Sequence, residues 1–298
     1  VEVKVDNYFN SNDLYKHDKS ELENEIDNNV PFMTSIYINE DVDLTVVYIN
    51  DDVNYLNYNF IIQENVKANI THIYFKVVNE VKIKVDILCK DYSQVSVKSV
   101  LICEESIKAI VNAYCLSDAY IKLDTLGLNK KAAEVYKNIY LINQNTNAEL
   151  TNVIINNSGM KQKYCYNICH VKDNCKSVIT NYGISKNNSN LTVDCYGVIK
   201  KGAYKTTLSQ KTKGIILDHY SQISAQPLLE IDENDVIANH GASIGAIDDN
   251  DLYYLMSRGL TREQSENLIV FAFINPYFRG INNEVIIDYL NKEINRHL

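Results

Sequence analysis

Hydrophobic and polar residues alternate along most of this chain, from Pro31 to about Ile231. Short segments such as VDLTVVYI from Val42, VKIKVDILC from Val81 and LTVDCYGVI from Leu191 carry apolar residues mostly at every second position. Such alternation predicts strands with one buried and one outward face. The segments begin roughly every 12 to 15 residues and are separated by Asn, Asp, Glu and Lys. The spacing predicts a dozen or more short strands, with Asn and Asp in the turns.

No amphipathic helical segment separates these strands, which argues against folds that alternate strands and helices. Sandwich, barrel and β-solenoid remain open at this level. A run of about 200 residues of evenly spaced short strands is long for a single sandwich. A solenoid, in which each turn buries its inward face against its neighbours, accounts better for such a quasi-repeat. The pattern therefore predicts a mainly β chain built around a solenoid.

After Gly245 the spacing of apolar residues becomes helical. Asp249 or Asn250 can cap a helix that ends at Gly259, and TREQ from Thr261 predicts a capping box at the start of a second helix. The first of these helices carries four apolar residues, namely Leu252, Tyr253, Leu255 and Met256. A third amphipathic segment has an apolar stripe made of Val285, Ile286, Tyr289, Leu290 and Ile294.

The predicted organisation has three parts. Residues 1–30 are polar and acidic, and they predict a lead-in that is frayed or forms a short helix. Residues 31–245 form the predicted β domain, and residues 246–298 form a small helical region. The apolar stripes of that region either pack against the end of the solenoid or leave one face for a partner.

Composition narrows the classes of function. The net charge is -9, and an acidic chain repels phosphate backbones, so we expect no nucleic-acid partner. No apolar run is long enough to span a bilayer and no signal peptide is visible, so we expect no membrane association. An odd number of cysteines in such a chain predicts reduced thiols and a cytoplasmic location. The seven are Cys89, Cys103, Cys115, Cys165, Cys169, Cys175 and Cys195.

Common catalytic motifs are missing from the sequence. It contains no phosphate-binding loop, no dinucleotide-binding glycine pattern, no nucleophile elbow and no HExxH zinc motif. Any nucleotide hydrolysis coupled to this chain therefore has to come from a partner.

The densest group of metal-binding residue types is YCYNICHVKDNC, which contains Cys165, Cys169, His170 and Cys175. These are soft ligands suited to zinc, copper or iron–sulfur centres, but their spacing is not a standard zinc pattern. On a strand, Cys165 and Cys169 share one face while His170 points the other way. The cysteines can equally be small core residues, and Cys195 is undecided between the two roles.

The junction between the β domain and the helices holds His219 and His240. A histidine beside small residues, as in NHGAS, suits a metal ligand or a hydrogen bond to turn backbone equally well. The nearby acidic residues can hold a cation or form a solvated turn; they are Glu230, Asp232, Glu233 and Asp235.

The segment QPLLEIDENDVIANHGASIGAIDDNDLYYLMSRGL resembles the C-terminal signature of the SufB/SufD family of iron–sulfur cluster assembly proteins. The residues that carry the likeness are Pro227, Leu229-Glu230-Ile231, His240-Gly241-Ala242-Ser243, Gly245 and YLMSRGL. A weaker likeness extends upstream from CHVKDNCKSV, so that the resemblance covers roughly residues 30 to 298. By this likeness, we expect the large N-terminal helical domain of many family members to be missing or much reduced here.

The resemblance implies a right-handed parallel β-helix flanked by helices. It further implies docking of a SufC-like ABC ATPase through the C-terminal helices, with candidate contacts at Leu252, Tyr253, Leu255, Met256, Arg258, Leu268 and Phe271. Members of the family pair through their β-helix ends, and a transient iron–sulfur cluster is expected at that junction, with none tightly bound in the isolated chain. The family's D-type junction histidine falls on His240.

The sequence departs from the B-type pattern at this junction. The stretch from Lys213 to Pro227 contains no cysteine, and NHGAS is closer to the D-type motif than to the B-type His-Glu-Ala-Thr. The chain therefore pairs either with a cysteine-bearing SufB-type subunit or with a second copy of itself. In the second case another thiol has to serve the cluster. The candidates are Cys165, Cys169 and Cys195, with His170 as a further ligand.

Three functions are compatible with these observations. The expected one is a non-enzymatic scaffold in a SUF-type complex. A purely structural partner of a SufB-type subunit is the second, and a β-helical carbohydrate-active enzyme is the third. The third requires a row of carboxylates along one flank of the solenoid.

Overall fold

The computed structural model describes residues 2–6, 15, 19–30, 33–50, 54–77, 80–157, 159–278 and 284–298. Within these ranges the chain is mainly β and winds as a parallel β-solenoid, followed by a few helices. The solenoid predicted from the alternation is confirmed. The predicted short helix in the lead-in is present as α1 (Glu21–Asn29), whereas residues 7–14 and 16–18 lie outside the described part.

The strands form two sheets, and each turn of the β-helix contributes one strand to each. The first sheet has the order β1 (Glu2–Asp6), β2 (Met33–Ile38), β4 (Tyr55–Ile62), β6 (Val81–Cys89), β8 (Ile107–Cys115), β10 (Ala133–Leu141), β12 (Lys161–His170), β14 (Asn190–Ile199) and β16 (Gln222–Ile231). The second sheet has the order β3 (Val42–Asn50), β5 (Lys67–Val77), β7 (Gln94–Ile102), β9 (Tyr120–Gly127), β11 (Asn147–Asn156), β13 (Lys176–Ser185), β15 (Thr206–Ile216) and β17 (Val236–Ala246). Neighbouring strands are parallel, apart from the antiparallel pair of β1 and β2.

Residues in left-handed backbone conformation mark one corner of the β-helix at successive turns. They stand between a strand of the first sheet and the next strand of the second, and their amides bond to carbonyls of the following turn. Asn and Asp fill most of these positions because they tolerate positive φ better than other side chains. This confirms the predicted turn role of the two residue types. The six corner residues are Asn65, Tyr92, Asp118, Asn145, Asn174 and Lys205.

Between the two sheets lies one continuous apolar core, to which each turn adds a similar set of residues. Val81 is in register with Ile107, and Ile107 with Ala133, so that inward positions stack directly on one another. Cys89 and Cys115 are register partners in this core and are fully buried. Burial of aligned apolar residues between parallel strands therefore supplies the main stabilisation of the fold.

The core also contains polar side chains that apolar periodicity does not predict. Lys137 points inward from β10, is fully buried, and its Nζ donates to the carbonyl oxygen of Asp124 at 3.2 Å. Burial lowers the pKa of Lys137 to about 7. His72 is buried among Tyr48, Tyr58 and other rings, and burial lowers its pKa to about 3.

Helix α1 packs on the outer face of the first sheet and is held there by polar contacts. Its N-cap Ser20 forms a capping box with Glu23. The Glu23 carboxylate accepts a bond from Asn112 Nδ2 on β8, and Asp27 accepts one from the buried Lys84 Nζ on β6 at 2.7 Å. These contacts connect the lead-in to the middle of the β-helix.

The C-terminal helices are α2 (Asp249–Ser257), α3 (Arg262–Ile274), a 3-10 turn (Asn275–Phe278) and α4 (Glu284–His297). Asp248, rather than the predicted Asp249 or Asn250, caps α2, and Gly259 follows it with a φ of 96°. The predicted capping box of Thr261 and Gln264 is present at the start of α3.

Helices α3 and α4 cover the outer face of the second sheet. Val270, Ile274, Leu290 and Ile294 are fully buried there, against outward residues of β7, β9 and β11. The side chains of Val285 and Ile286, two members of the predicted stripe, lie outside the described part. No helix within the described ranges is both long and apolar enough to cross a membrane.

We predict that Lys137→Met stabilises the chain by roughly 2 to 4 kcal/mol near pH 6 and by much less near pH 10. The unfolded chain binds the lysine proton below about pH 10.4, whereas the native chain binds it only below about pH 7. The native state is therefore penalised progressively as the pH falls from 10.4 to 7, and the penalty is constant below that. Urea unfolding at both pH values measures the effect, with exposed Lys201→Met as control. Equal destabilisation by Lys137→Met at both values contradicts the prediction.

Candidate functional site

The last turn of the β-helix, formed by β16 and β17, is open. These two strands are the final members of their sheets, so their outer edges have no strand partner within the described chain. Residues on β16 alternate between exposed and half-buried and most residues on β17 are exposed, whereas β14 beneath them alternates mainly between buried and half-buried or exposed residues. The turn thus exposes interior positions and a strand edge that are covered by a further turn in the strands beneath it.

His240 lies on this open turn and belongs to an inward-facing column. Its register partner on β15 is Gln210, which is 2% exposed inside the β-helix. His240 itself is exposed because no further turn covers it. The His240 side chain is thus at an inward-facing position and is exposed at the open end of the β-helix.

Large apolar side chains surround this open turn. Ile237 is 66% exposed, Leu228 is 56% exposed and Ile231 is 41% exposed. Exposed apolar side chains beside an unpaired strand edge are typical of a surface that another protein covers. His240, a metal-binding residue type, thus lies within an exposed apolar surface at the end of the β-helix.

Cys195 lies inside the β-helix, one turn below the open end. Its Sγ accepts a hydrogen bond from Asn181 Nδ2 at 3.1 Å, and its register partner on β16 is Pro227. Burial raises the pKa of the Cys195 thiol to about 11. The thiol is 2% exposed, so in this conformation it is packed beneath the open turn rather than presented beside His240.

The residues of YCYNICHVKDNC are separated by the walls of the β-helix. Cys165 and Cys169 face outward from β12, whereas His170 faces inward and bonds through Nε2 to Ser177 Oγ at 2.8 Å. Burial lowers the pKa of His170 to about 3. Cys175 lies at a corner, with Thr146 Oγ1 2.9 Å from its Sγ. Among the described residues, no three His, Cys, Asp or Glu side chains are grouped so that they could hold a metal ion.

A cavity of about 600 Å³ lies outside the first sheet, and Cys169 is part of its wall. Tyr15, from the lead-in, covers one side, and its hydroxyl is 3.5 Å from Cys169 Sγ. Burial raises the pKa of Tyr15 to about 12 and also raises that of Cys169. Sequence periodicity did not predict this cavity, because its wall comes from side chains of four β-helix strands and from a distant polar segment.

The other rim of this cavity holds charged residues. Glu230 accepts hydrogen bonds from the Tyr196 hydroxyl and from Lys200 Nζ. Glu233, in the loop between β16 and β17, accepts a hydrogen bond from the Gly202 amide at 3.0 Å. These two members of the acidic group EIDEND are thus engaged in local turn and pair contacts.

The predicted ATPase-contact residues divide into buried and exposed sets. Leu252 is 4% exposed, Leu255 is half-buried, and Phe271 packs partly buried against the core beneath α3. Tyr253 is 76% exposed, whereas Leu268 and Met256 are 50% and 44% exposed. Arg258 is exposed, and its guanidinium lies 5.3 Å from the centre of the Tyr254 ring. Helix α2 therefore presents an aromatic and aliphatic face to solvent.

The family described as SUF system FeS cluster assembly, SufBD core domain, matches residues 50–273 of the chain. The iron-sulfur cluster assembly protein SufD of Bacillus subtilis (strain 168) is 30% identical over 154 residues, which are 52% of this chain and 34% of that protein. A SufBD family protein of Mycobacterium bovis is 22% identical over 212 residues, 70% of this chain and 25% of the relative. One from Staphylococcus epidermidis (strain ATCC 12228 / FDA PCI 1200) is 26% identical over 164 residues, 54% of this chain and 35% of the relative. The chain thus spans about a third of these relatives, or less.

We predict that Cys165 and Cys169 are alkylated by iodoacetamide before Cys195 in the folded chain. The first two face outward from β12, whereas Cys195 lies in the interior. Because burial raises all three pKa values, native alkylation near pH 8 is expected to be slower than in the unfolded chain by on the order of 100-fold.

A time course followed by peptide mass spectrometry gives the order of reaction. Cys103 is the internal control, since it is fully buried and burial raises its pKa to about 12. Faster modification of Cys195 than of Cys169 contradicts the assignment of inner and outer thiols.

Proposed function

We propose that this chain, which belongs to the SufBD core family of the SUF system for iron–sulfur cluster assembly, is a scaffold subunit that holds a nascent cluster at a subunit junction. The observation that carries the proposal is the open last turn of the β-helix, where His240 is exposed among apolar side chains. The cluster is the cargo of this process. It is built at the junction and passed on, so it is a substrate of the assembly rather than a resident cofactor.

The partner at the open turn is a second SufB/SufD-type chain, either another family member or a second copy. Two features support this choice: the free edges of β16 and β17, and the apolar residues beside them. A β-helix end can pair with another β-helix end because both present aligned strands and a similar cross-section. Docking there removes water from around His240, which strengthens any bond that the imidazole makes to a metal ion.

A single imidazole is too few ligands for an iron–sulfur cluster, which is held mainly by thiolates. Cys195 is the thiol of this chain nearest to the open turn by register, yet it lies beneath Pro227. A cysteine-bearing partner therefore completes the site most simply. In a self-paired dimer, the last turn has to shift before Cys195 reaches the junction.

The second partner in the proposal is a SufC-like ABC ATPase, which docks on helix α2. Exposed aromatic residues beside an arginine are common at the centres of protein interfaces. Tyr253, Tyr254 and Arg258 provide such a group on α2, which follows the open turn after only Ile247 and Asp248. A movement of the bound ATPase can therefore be transmitted from α2 to the open turn through these two residues. The chain itself contributes no catalytic residue to ATP hydrolysis in this proposal.

We predict that His240→Ala lowers cluster formation by roughly ten-fold or more, because it removes a ligand at the junction. The measurement is anaerobic reconstitution of the complex with a SufC-like ATPase and a SufB-type subunit, followed by visible absorbance. His219→Ala is the matched control, since His219 is also exposed and lies in the loop between β15 and β16. Unchanged absorbance in His240→Ala favours a purely structural role of the chain.

We predict that Tyr253→Ala combined with Met256→Ala weakens binding of the ATPase by roughly ten-fold or more. Both side chains lie on the exposed face of α2, and truncation of a central interface tyrosine commonly has an effect of this size. Co-purification and calorimetry with the SufC-like ATPase measure it. The control is Tyr220→Ala, a 77% exposed tyrosine outside α2. Equal loss in both variants, or loss in neither, contradicts docking on α2.

A further inference from the structure

Gln210 is a polar residue in the interior of the β-helix, and only one side of its amide is in use. It points inward from β15 and is 2% exposed. Its Nε2 crosses the interior and donates to the carbonyl oxygen of Leu228, on β16, at 3.4 Å. Its Oε1 is buried and accepts no hydrogen bond from any described residue. A buried acceptor of this kind is costly to leave unpaired, so it points to a missing donor.

The surroundings of this amide show that space is kept for it. Gly197, on β14, lies against the amide, and a Cβ at that position would stand only 2.8 Å from Gln210 Nε2. Any side chain on Gly197 would therefore push the amide away from its position. The residue below Gln210 in the same column is Ile179, which offers no donor from its side chain. The direction left open is toward the last turn.

The residue above Gln210 in this column is His240. The two are register partners on adjacent parallel strands, which lie about 4.8 Å apart. Both side chains point to the interior side of the sheet, and the imidazole is free to rotate because it is exposed. Register partners elsewhere in this β-helix bond side chain to side chain, as Asn138 Nδ2 does to Asn112 Oδ1 at 2.9 Å, so a ring N–H of His240 is within reach of Gln210 Oε1. The unprotonated ring nitrogen then faces outward from the end of the β-helix.

We propose that Gln210 is a positioning residue for His240: its Oε1 accepts a hydrogen bond from one ring nitrogen and so fixes the tautomer that presents the other as a metal ligand. Ligating histidines generally donate their second ring N–H to a carbonyl or carboxylate, which orients the ring and makes it a better ligand. Here an amide oxygen takes that role. The inference rests on the proposed function of His240 at the junction, but the hydrogen bond is a property of the chain alone.

The test is the tautomer of His240 in the isolated 298-residue chain, without metal or partner. Selective 15N labelling of the six histidines reports which ring nitrogen carries the proton. His240→Ala identifies the signal, and a pH near 8.5 keeps an ordinary imidazole neutral. In the wild type we expect one tautomer to predominate. In Gln210→Met, which keeps the size of the side chain and removes the acceptor, we expect the ratio to change by roughly 2- to 10-fold toward that of a free peptide.

Two further variants separate positioning from a merely structural role. Gln210→Glu keeps an acceptor oxygen, so we expect this variant to retain the tautomer preference of the wild type. Gln226→Met removes an exposed amide from β16 and is expected to leave the ratio unchanged. Where Gln210→Met does not fold, Gln210→Asn serves instead, because its shorter side chain withdraws the acceptor. A wild-type ratio that persists in Gln210→Met or Gln210→Asn overturns the proposal, since water or another group then fills the acceptor's role.

A second measurement connects the hydrogen bond to cluster assembly. In the reconstituted complex, we expect Gln210→Met to slow the appearance of cluster absorbance by roughly 10- to 100-fold. Gln210→Glu is expected to keep most of the wild-type rate. The two ideas fail in different ways. If His240→Ala leaves assembly intact, the junction role of His240 is wrong whatever its tautomer. If His240→Ala abolishes assembly but Gln210→Met changes neither tautomer nor rate, only the positioning role of Gln210 is wrong.

Discussion

The stacking of each β-helix turn on the next, in register, is the interaction on which this structure depends. Each strand satisfies its backbone hydrogen bonds through the turns above and below, and each inward side chain is buried by the same neighbours. A turn in the middle therefore has both kinds of partner, whereas the last turn lacks one of each. The open surface at β16 and β17 follows from this, because the same types of residue that are buried elsewhere are exposed there.

Register also decides which side chains meet, and it does so across long distances in the chain. Asn112, Asn138 and Asn167 form a hydrogen-bonded ladder on the outer face of the first sheet because each is the register partner of the next. The same rule places Gln210 beneath His240 and Pro227 over Cys195. The column formed by the asparagines continues on β6, where Asp86 is the register partner of Asn112 and accepts a hydrogen bond from its Nδ2.

The helices determine which surfaces remain open to partners. Helices α3 and α4 cover part of the second sheet with fully buried residues, and α1 is held to the first sheet by buried polar contacts. Helix α2 is different, since only Leu252 is buried among its apolar residues. Two uncovered surfaces consequently lie close together in the chain, the open turn of the β-helix and the exposed face of α2. Their proximity offers a direct physical route for coupling events on one to the other.

The sequence by itself determined the architecture, because strand alternation, Asn and Asp at the corners and the capping box at Thr261 are local properties of consecutive residues. It also separated Cys165 and Cys169 from His170, since adjacent strand residues face opposite ways. It did not determine that Leu252 and Phe271 are buried or partly buried. Other apolar residues of the same helices are exposed, and the difference depends on what packs against each side of the helix. The cavity beside Tyr15 and the placement of Gln210 beneath His240 were decided by tertiary structure alone. Each depends on register between turns or on contact with a distant segment, and neither is encoded in the spacing of neighbouring residues.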